Sequence, residues 1–261
     1  QLLATNTQCT VWSPSRVSYR AAHETECCNG NVHRAMPNFV SRMWMQTPQG
    51  LAATCYGPCE VSARIAGQKV TIVEDTDYPF RETIRFTVNA AKPVDMTLML
   101  RIPGWCDGAA VSINGTPQES IACPVGSFVP VARIFYPGDV VELSLPMAVR
   151  TRNWFGGQAL SVERGPLVFS VPVPEQALTS FVDPPEIKVI MNGHAPSRFP
   201  AIEFFPAGEW RYGVAAKAAQ PPQMTVRELP MTDNPFAPGQ SPVTINVMLA
   251  PLPGWYDGWQ P

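Results

Sequence analysis

The sequence predicts a mainly β protein: two antiparallel β-sandwich domains preceded by a short helical segment. Three observations carry this. The 261 residues include 29 prolines and 18 glycines, a density of chain breakers that leaves little room for long helices. Between those breakers, apolar and polar residues alternate over runs of five to nine, the period of half-buried strands. Only one stretch, near the start, repeats its apolar residues at helical spacing.

Residues 1–20 are polar and irregular, with Ser13-Pro14-Ser15 as a turn, and read as a loop leading to Glu24-Thr25-Glu26-Cys27-Cys28-Asn29-Gly30-Asn31. From there Val32, Met36, Phe39, Val40, Met43 and Trp44 fall three and four apart, so a helix is expected to run to Met45, with Pro37 kinking it or delaying its regular part. No later helix offers that apolar face a partner. The chain also opens Gln1-Leu2-Leu3-Ala4, with its most reactive stretch inside the first thirty residues, and the expectation is that partner helices precede it.

After Pro48-Gln49-Gly50 the period changes to two. Leu51 to Tyr56, Cys59 to Ile65, Lys69 to Glu74, Arg81 to Val88 and Val94 to Ile102 read as strands. Asn114-Gly115 suits a tight hairpin, since both central positions need positive φ. Phe128 to Phe135 and Val140 to Leu145 follow, joined by the turn Tyr136-Pro137-Gly138-Asp139, and the spacing of these strands is that of a sandwich. Residues 149–157 lead into a second, more irregular β unit, whose first strands are broken at Gly165-Pro166. The expected domains are 1–44, 45–148 and 149–261.

Composition excludes some functions. A formal charge of −2 provides no basic surface for phosphate backbones, so nucleic acid is not an expected partner. No apolar run reaches the roughly 18 residues that span a bilayer, so no membrane association is expected. Seven cysteines, an odd number without small-scaffold spacing, favour reduced thiols and a cytoplasmic over a periplasmic setting.

Cys27-Cys28 is the candidate reactive pair. A thiol at a helix N-terminus meets a positive dipole that favours its thiolate, and adjacent cysteines rarely bond to each other because the geometry is strained. Metal ligation, a nucleophilic role, and simple burial as small apolar residues all remain open for the pair. Glu24 and Glu26 are read first as dipole partners of the helix, with an acid/base or zinc role second. His23 and His33 suit a sugar or metal contact as well as a packed or surface position. Cys55 and Cys59 have a C-x3-C spacing but no partner pair, which favours structural thiols. Trp105, Trp154, Trp210, Trp255 and Trp259 are a conceivable sugar platform, with packing the commoner fate.

Together, Glu26-Cys27-Cys28-Asn29-Gly30-Asn31, Tyr56-Gly57-Pro58-Cys59-Glu60-Val61, Leu100-Arg101-Ile102-Pro103-Gly104-Trp105 and Glu163-Arg164-Gly165-Pro166-Leu167-Val168 resemble glycoside hydrolase family 127 and its relatives, the β-L-arabinofuranosidase type. Trp210-Arg211-Tyr212-Gly213, Asn234-Pro235-Phe236 and Pro253-Gly254-Trp255 resemble its C-terminal part. The resemblance implies an (α/α)6 barrel followed by two β-sandwiches, of which residues 1–44 are the last barrel segment. It implies that Cys27 is the nucleophile and a zinc ligand and that Cys28 is a zinc ligand. It places the remaining ligands, the acid/base glutamate and the sugar-binding histidines upstream of Gln1, so the 261 residues alone are expected to be inactive. The implied cofactor is zinc and the implied substrate a carbohydrate, with a homodimer or an associated N-terminal barrel as partner.

Two other functions fit the same residues: a stand-alone carbohydrate-binding or oligomerising β-sandwich module without catalysis, and a zinc or redox protein joining Cys27, Cys28, Cys55 and Cys59.

Overall fold

The computed structural model describes residues 17–19, 34–157, 159–180, 201–214 and 222–252. The elements in order are β1 (Val17–Tyr19), α1 (34–40), β2 (Trp44–Thr47), β3 (Gly50–Ala53), β4 (Cys59–Ile65), β5 (Gln68–Thr76), β6 (Thr83–Ala90), β7 (Val94–Arg101), β8 (Ala110–Ile113), β9 (Thr116–Pro117), β10 (Phe128–Phe135) and β11 (Asp139–Ser144). They continue with β12 (Val149–Trp154), a short 3-10 turn, β13 (Ala159–Arg164), β14 (Leu167–Phe169), β15 (Glu175–Ser180), β16 (Ala201–Pro206), β17 (Tyr212–Val214), β18 (Met224–Glu228), β19 (Val243–Val247) and β20 (Leu249–Pro251). The mainly β class expected from the sequence is what the chain adopts. It divides into two compact units, one of Pro37–Phe169 with Glu228–Asp233 and one of the remainder.

The first unit holds a sandwich of two sheets, β10-β7-β3-β2 and β4-β5-β6-β11-β8-β9. Alternation decides which side chains meet between them. Leu51, Met96, Leu98, Leu100, Val129 and Val131 point inward from one sheet, and Val70, Ile72, Ile84, Phe86, Val88, Val141 and Leu143 from the other, in one continuous core. Burying apolar side chains of this size stabilises the unit by roughly 1.5–3 kcal/mol each, against the entropy of ordering them.

Pairing is antiparallel throughout the sandwich except between β3 and β7, which run parallel. Gly50 makes that contact possible, because a Cβ there would lie 2.1 Å from the Thr97 carbonyl oxygen. Asn114 (φ 50°) and Gly115 (φ 77°) form the expected tight turn. The Asn114 amide stays in place by donating to Asp139 Oδ1 at 2.9 Å and accepting from Val140 N at 2.8 Å.

Two expectations near the start are corrected. The helix does not run to Met45: α1 ends at 40, the chain tightens through Arg42 N to Phe39 O (3.0 Å) and Met43 N to Val40 O (3.2 Å), and Trp44 begins β2. Met43 and Trp44 matched a helical period, but the sandwich claims them, Met43 buried and the Trp44 ring edge-on to Phe86 at 5.7 Å. Pairing over a long sequence separation overrides the local pattern. Met36, Phe39 and Val40 of that apolar stripe are exposed, and Val32 lies outside the described residues.

Residues 1–20 are not all loop either. Val17–Tyr19, apolar–polar–aromatic, pairs antiparallel with β16 in the second unit, in a three-stranded sheet ordered β1-β16-β15. That unit also contains the pairs β17·β20 and β18·β19.

Candidate functional site

Cys27 and Cys28, with His23, Glu24, Glu26 and His33, lie outside the described residues. Cys55 and Cys59 lie within them and are free thiols. Cys59 Sγ is 3.3 Å from the Trp44 indole nitrogen and 3.5 Å from Glu74 Oε2. Burial pushes this thiol up to about 11, so it stays protonated at neutral pH. Among the described residues, no group of three His, Cys, Asp or Glu could hold a metal.

Glu74 is the acid that the sequence reading passed over. Along β5 the inward positions are Val70, Ile72 and Glu74, so strand parity carries a carboxylate into the core, where it is 2% exposed. Gly57 N donates to Oε1 at 2.9 Å, and the Trp44 indole (3.2 Å) and the Cys59 thiol donate to Oε2. Desolvation outweighs these donors and raises the carboxyl to about 7. The visible signal was an acidic residue at an apolar parity position.

Tyr56 and Arg164, each from a stretch that carries the sequence resemblance, both reach the loop between β5 and β6. Tyr56 packs its ring against Tyr78 at 5.8 Å and donates its hydroxyl to the Arg101 carbonyl at 2.6 Å. Arg101 in turn donates to the Thr54 carbonyl. Arg164, 5% exposed, donates to the Phe80 carbonyl at 3.3 Å and pairs with Glu82 at 3.5 Å and Glu228 at 2.6 Å. Glu82 also accepts from Met147 N at 2.8 Å. Glu82 thus joins the loop to the strand pair at Gly165-Pro166, and every one of these groups is occupied in holding backbone in place.

The tryptophans serve different ends. Trp105 packs against the sandwich core, whereas Trp154 lies on the surface under the Arg152 guanidinium, 5.3 Å from its ring centre. Trp255 and Trp259 lie outside the described residues. No helix among the described residues is long and apolar enough to cross a membrane.

Residues 50–147 match the family model described as the beta-L-arabinofuranosidase GH127 middle domain. No curated protein matches the chain. Among solved structures, a GH127 β-L-arabinofuranosidase from Geobacillus stearothermophilus T6 is similar at 23% identity and TM-score 0.51, over 69% of this chain and 34% of that one. A chain titled glycoside hydrolase is similar at 26% identity and TM-score 0.51, over 63% of this chain and 29% of that one. A GH127 β-arabinofuranosidase is similar at 24% identity and TM-score 0.51, over 62% and 31%. The chain therefore spans about a third of the length of these structures.

Proposed function

We propose that this chain, which carries the GH127 middle domain over residues 50–147, is the C-terminal part of a zinc-dependent retaining glycoside hydrolase that removes β-L-arabinofuranosyl or similar sugars. The observation that carries the reading is the family match, with Cys27-Cys28 preceding it in the order that the family resemblance implies. The three-part organisation 1–44, 45–148 and 149–261 belongs to the same proposal.

In this reading Cys27 is the nucleophile. Its thiolate attacks the anomeric carbon while the glycosidic oxygen leaves with a proton from an acid on the opposite face of the sugar; water, giving a proton back to that group, then displaces the Cys27 thiolate, and the two inversions give net retention. Cys27 and Cys28 fit zinc by their chemistry as soft sulfur donors, and they supply two of the four ligands a tetrahedral site takes. Cys59 is committed to Trp44 and Glu74, so the other two ligands are expected from elsewhere in a longer polypeptide. Zinc, when bound, holds the Cys27 thiol deprotonated at neutral pH.

The test is made on the natural protein purified from its own cells under reducing conditions. Its intact mass should lie far above 28.6 kDa, it should hydrolyse an aryl β-L-arabinofuranoside with retention, and Cys27→Ser should remove turnover while lowering zinc content. A mass near 28.6 kDa with neither zinc nor hydrolysis would instead favour a stand-alone carbohydrate-binding or oligomerising module.

A further inference from the structure

The two outer faces of the sandwich differ in chemistry. On the six-stranded sheet the outward residues are mostly polar, with Val73 and Val140 as apolar exceptions, and two pairs link neighbouring strands: Ser62 and Thr71 share a hydrogen bond of 2.8 Å across β4 and β5, and Arg85 and Glu142 an ion pair of 2.9 Å across β6 and β11. This is the solvated face that an antiparallel sandwich ordinarily presents. The four-stranded sheet lacks one. Its outward positions carry Met45 on β2, Met99 on β7, and Phe128, Pro130, Ala132 and Ile134 on β10.

The register sets these residues in neighbouring positions, although Ala52, which joins Met45 to Met99, is itself buried. Met45 stands opposite Ala52, Ala52 opposite Met99 and Met99 opposite Pro130, so one row crosses all four strands. Phe128 and Ile134 flank that row along β10, and Met45, Phe128 and Ile134 are 50%, 44% and 51% exposed. The polar residues of this face are Thr47 and Thr97, in the next row with Gly50 and Ala132, and at its ends Asp95, opposite Ile134, and Arg101, opposite Phe128 and turned back to the Thr54 carbonyl. An apolar patch on one face, rimmed by charge, with a polar ladder on the other face, is the pattern of a surface built to be covered. The same unit exposes Phe39 and Val40 on α1, which leads directly into the edge strand β2.

We propose that the outer face of the four-stranded sheet is an interdomain seat, covered by an apolar surface of the catalytic part of the same, longer polypeptide. The occupant follows from length: solved structures that share this fold are about three times as long as the part of them this chain covers, so each has polypeptide to spare for such a layer. The inference rests on the reading under Proposed function, and goes beyond it by naming the surface through which this chain joins the rest. Charge supports an intramolecular cover, since a face of methionine, phenylalanine, proline, alanine and isoleucine offers no ionic steering to a separate partner.

The test compares the 261-residue chain with the natural gene product by hydroxyl-radical footprinting, read by mass spectrometry at Met45 and Met99. Both methionines should be oxidised readily in the 261-residue chain and at least fivefold less in the longer protein. Ile134→Lys, whose ammonium faces Asp95, should not lower the melting temperature of the 261-residue chain and should lower that of the longer protein, while the control Thr87→Asp, on the polar face, should change neither. Equal oxidation in a longer product would overturn the seat and leave the glycosidase reading standing. Protection in the 261-residue chain that grows with its concentration would assign the face to a second copy, and would also overturn it. A natural product of 28.6 kDa would remove both the seat and the reading it rests on.

Discussion

Two single residues show how far the sandwich depends on what one position contains. Gly50 sits where β3 meets β7 in parallel, and an alanine methyl would lie 2.1 Å from Thr97 O, a backbone atom that cannot move without breaking the sheet. Gly50→Ala should therefore cost about 3 kcal/mol or more, at the upper end for overpacking, read as a fall in the urea midpoint. Glu74 makes the opposite kind of demand. Its folded-state value of about 7 lies above the ordinary 4.5, so the folded chain holds this proton more tightly than the unfolded chain. Its contribution is fully present below pH 4.5 and is lost as pH rises through 7, by about 3 kcal/mol in all. Glu74→Gln cannot ionise and keeps one acceptor oxygen, for Gly57 or for Trp44 but not both, a cost that does not vary with pH. Relative to the wild type it should gain about 3 kcal/mol in stability between pH 4.5 and pH 8, and a difference that does not vary with pH would refute the assignment.

Turns and strands were the most readable parts of the sequence, because their signals are local. Phe128 to Phe135 was predicted residue for residue, and Asn114-Gly115 turns as its chemistry requires. The helix end was not readable: Met43 and Trp44 satisfy helical spacing, and only contacts with Phe86 and Glu74, thirty and more residues away, assign them to the sandwich. The β1 pairing with β16 was hidden for the same reason, nearly two hundred residues separating the strands. The stretch Glu163-Arg164-Gly165-Pro166 was legible as a break between strands, but not as the brace it forms with Glu82 and Glu228. Arg164 is buried while both carboxylates keep access to water, so its removal strands a carbonyl and two solvated acids rather than two buried charges. Arg164→Ala should cost about 3 kcal/mol, the low end for breaking a buried ion pair, and should loosen the loop at Phe80 and Glu82 as seen by faster amide exchange there.

Catalysis asks for more than these parts supply together. A retaining glycosidase needs a nucleophile and an acid on opposite faces of one sugar, normally about 5 to 5.5 Å apart. Four carboxylates among the described residues are already engaged: Glu74 by Gly57, Trp44 and Cys59, Glu82 by Met147 and Arg164, Glu228 by Arg164, and Asp139 by Asn114, Tyr136 and Arg133. Each holds backbone or a turn in place, and moving any of them to meet a substrate would undo part of the sandwich. Cys27 therefore has a candidate role, but none of these four carboxylates is free to share it. The 261-residue chain, folded and reduced, is expected to give no turnover of an aryl β-L-arabinofuranoside above the uncatalysed rate, with or without added zinc. Measurable hydrolysis that disappears in Cys27→Ser would mean that this chain contains its own acid, and Glu24 and Glu26 would be the first residues to replace.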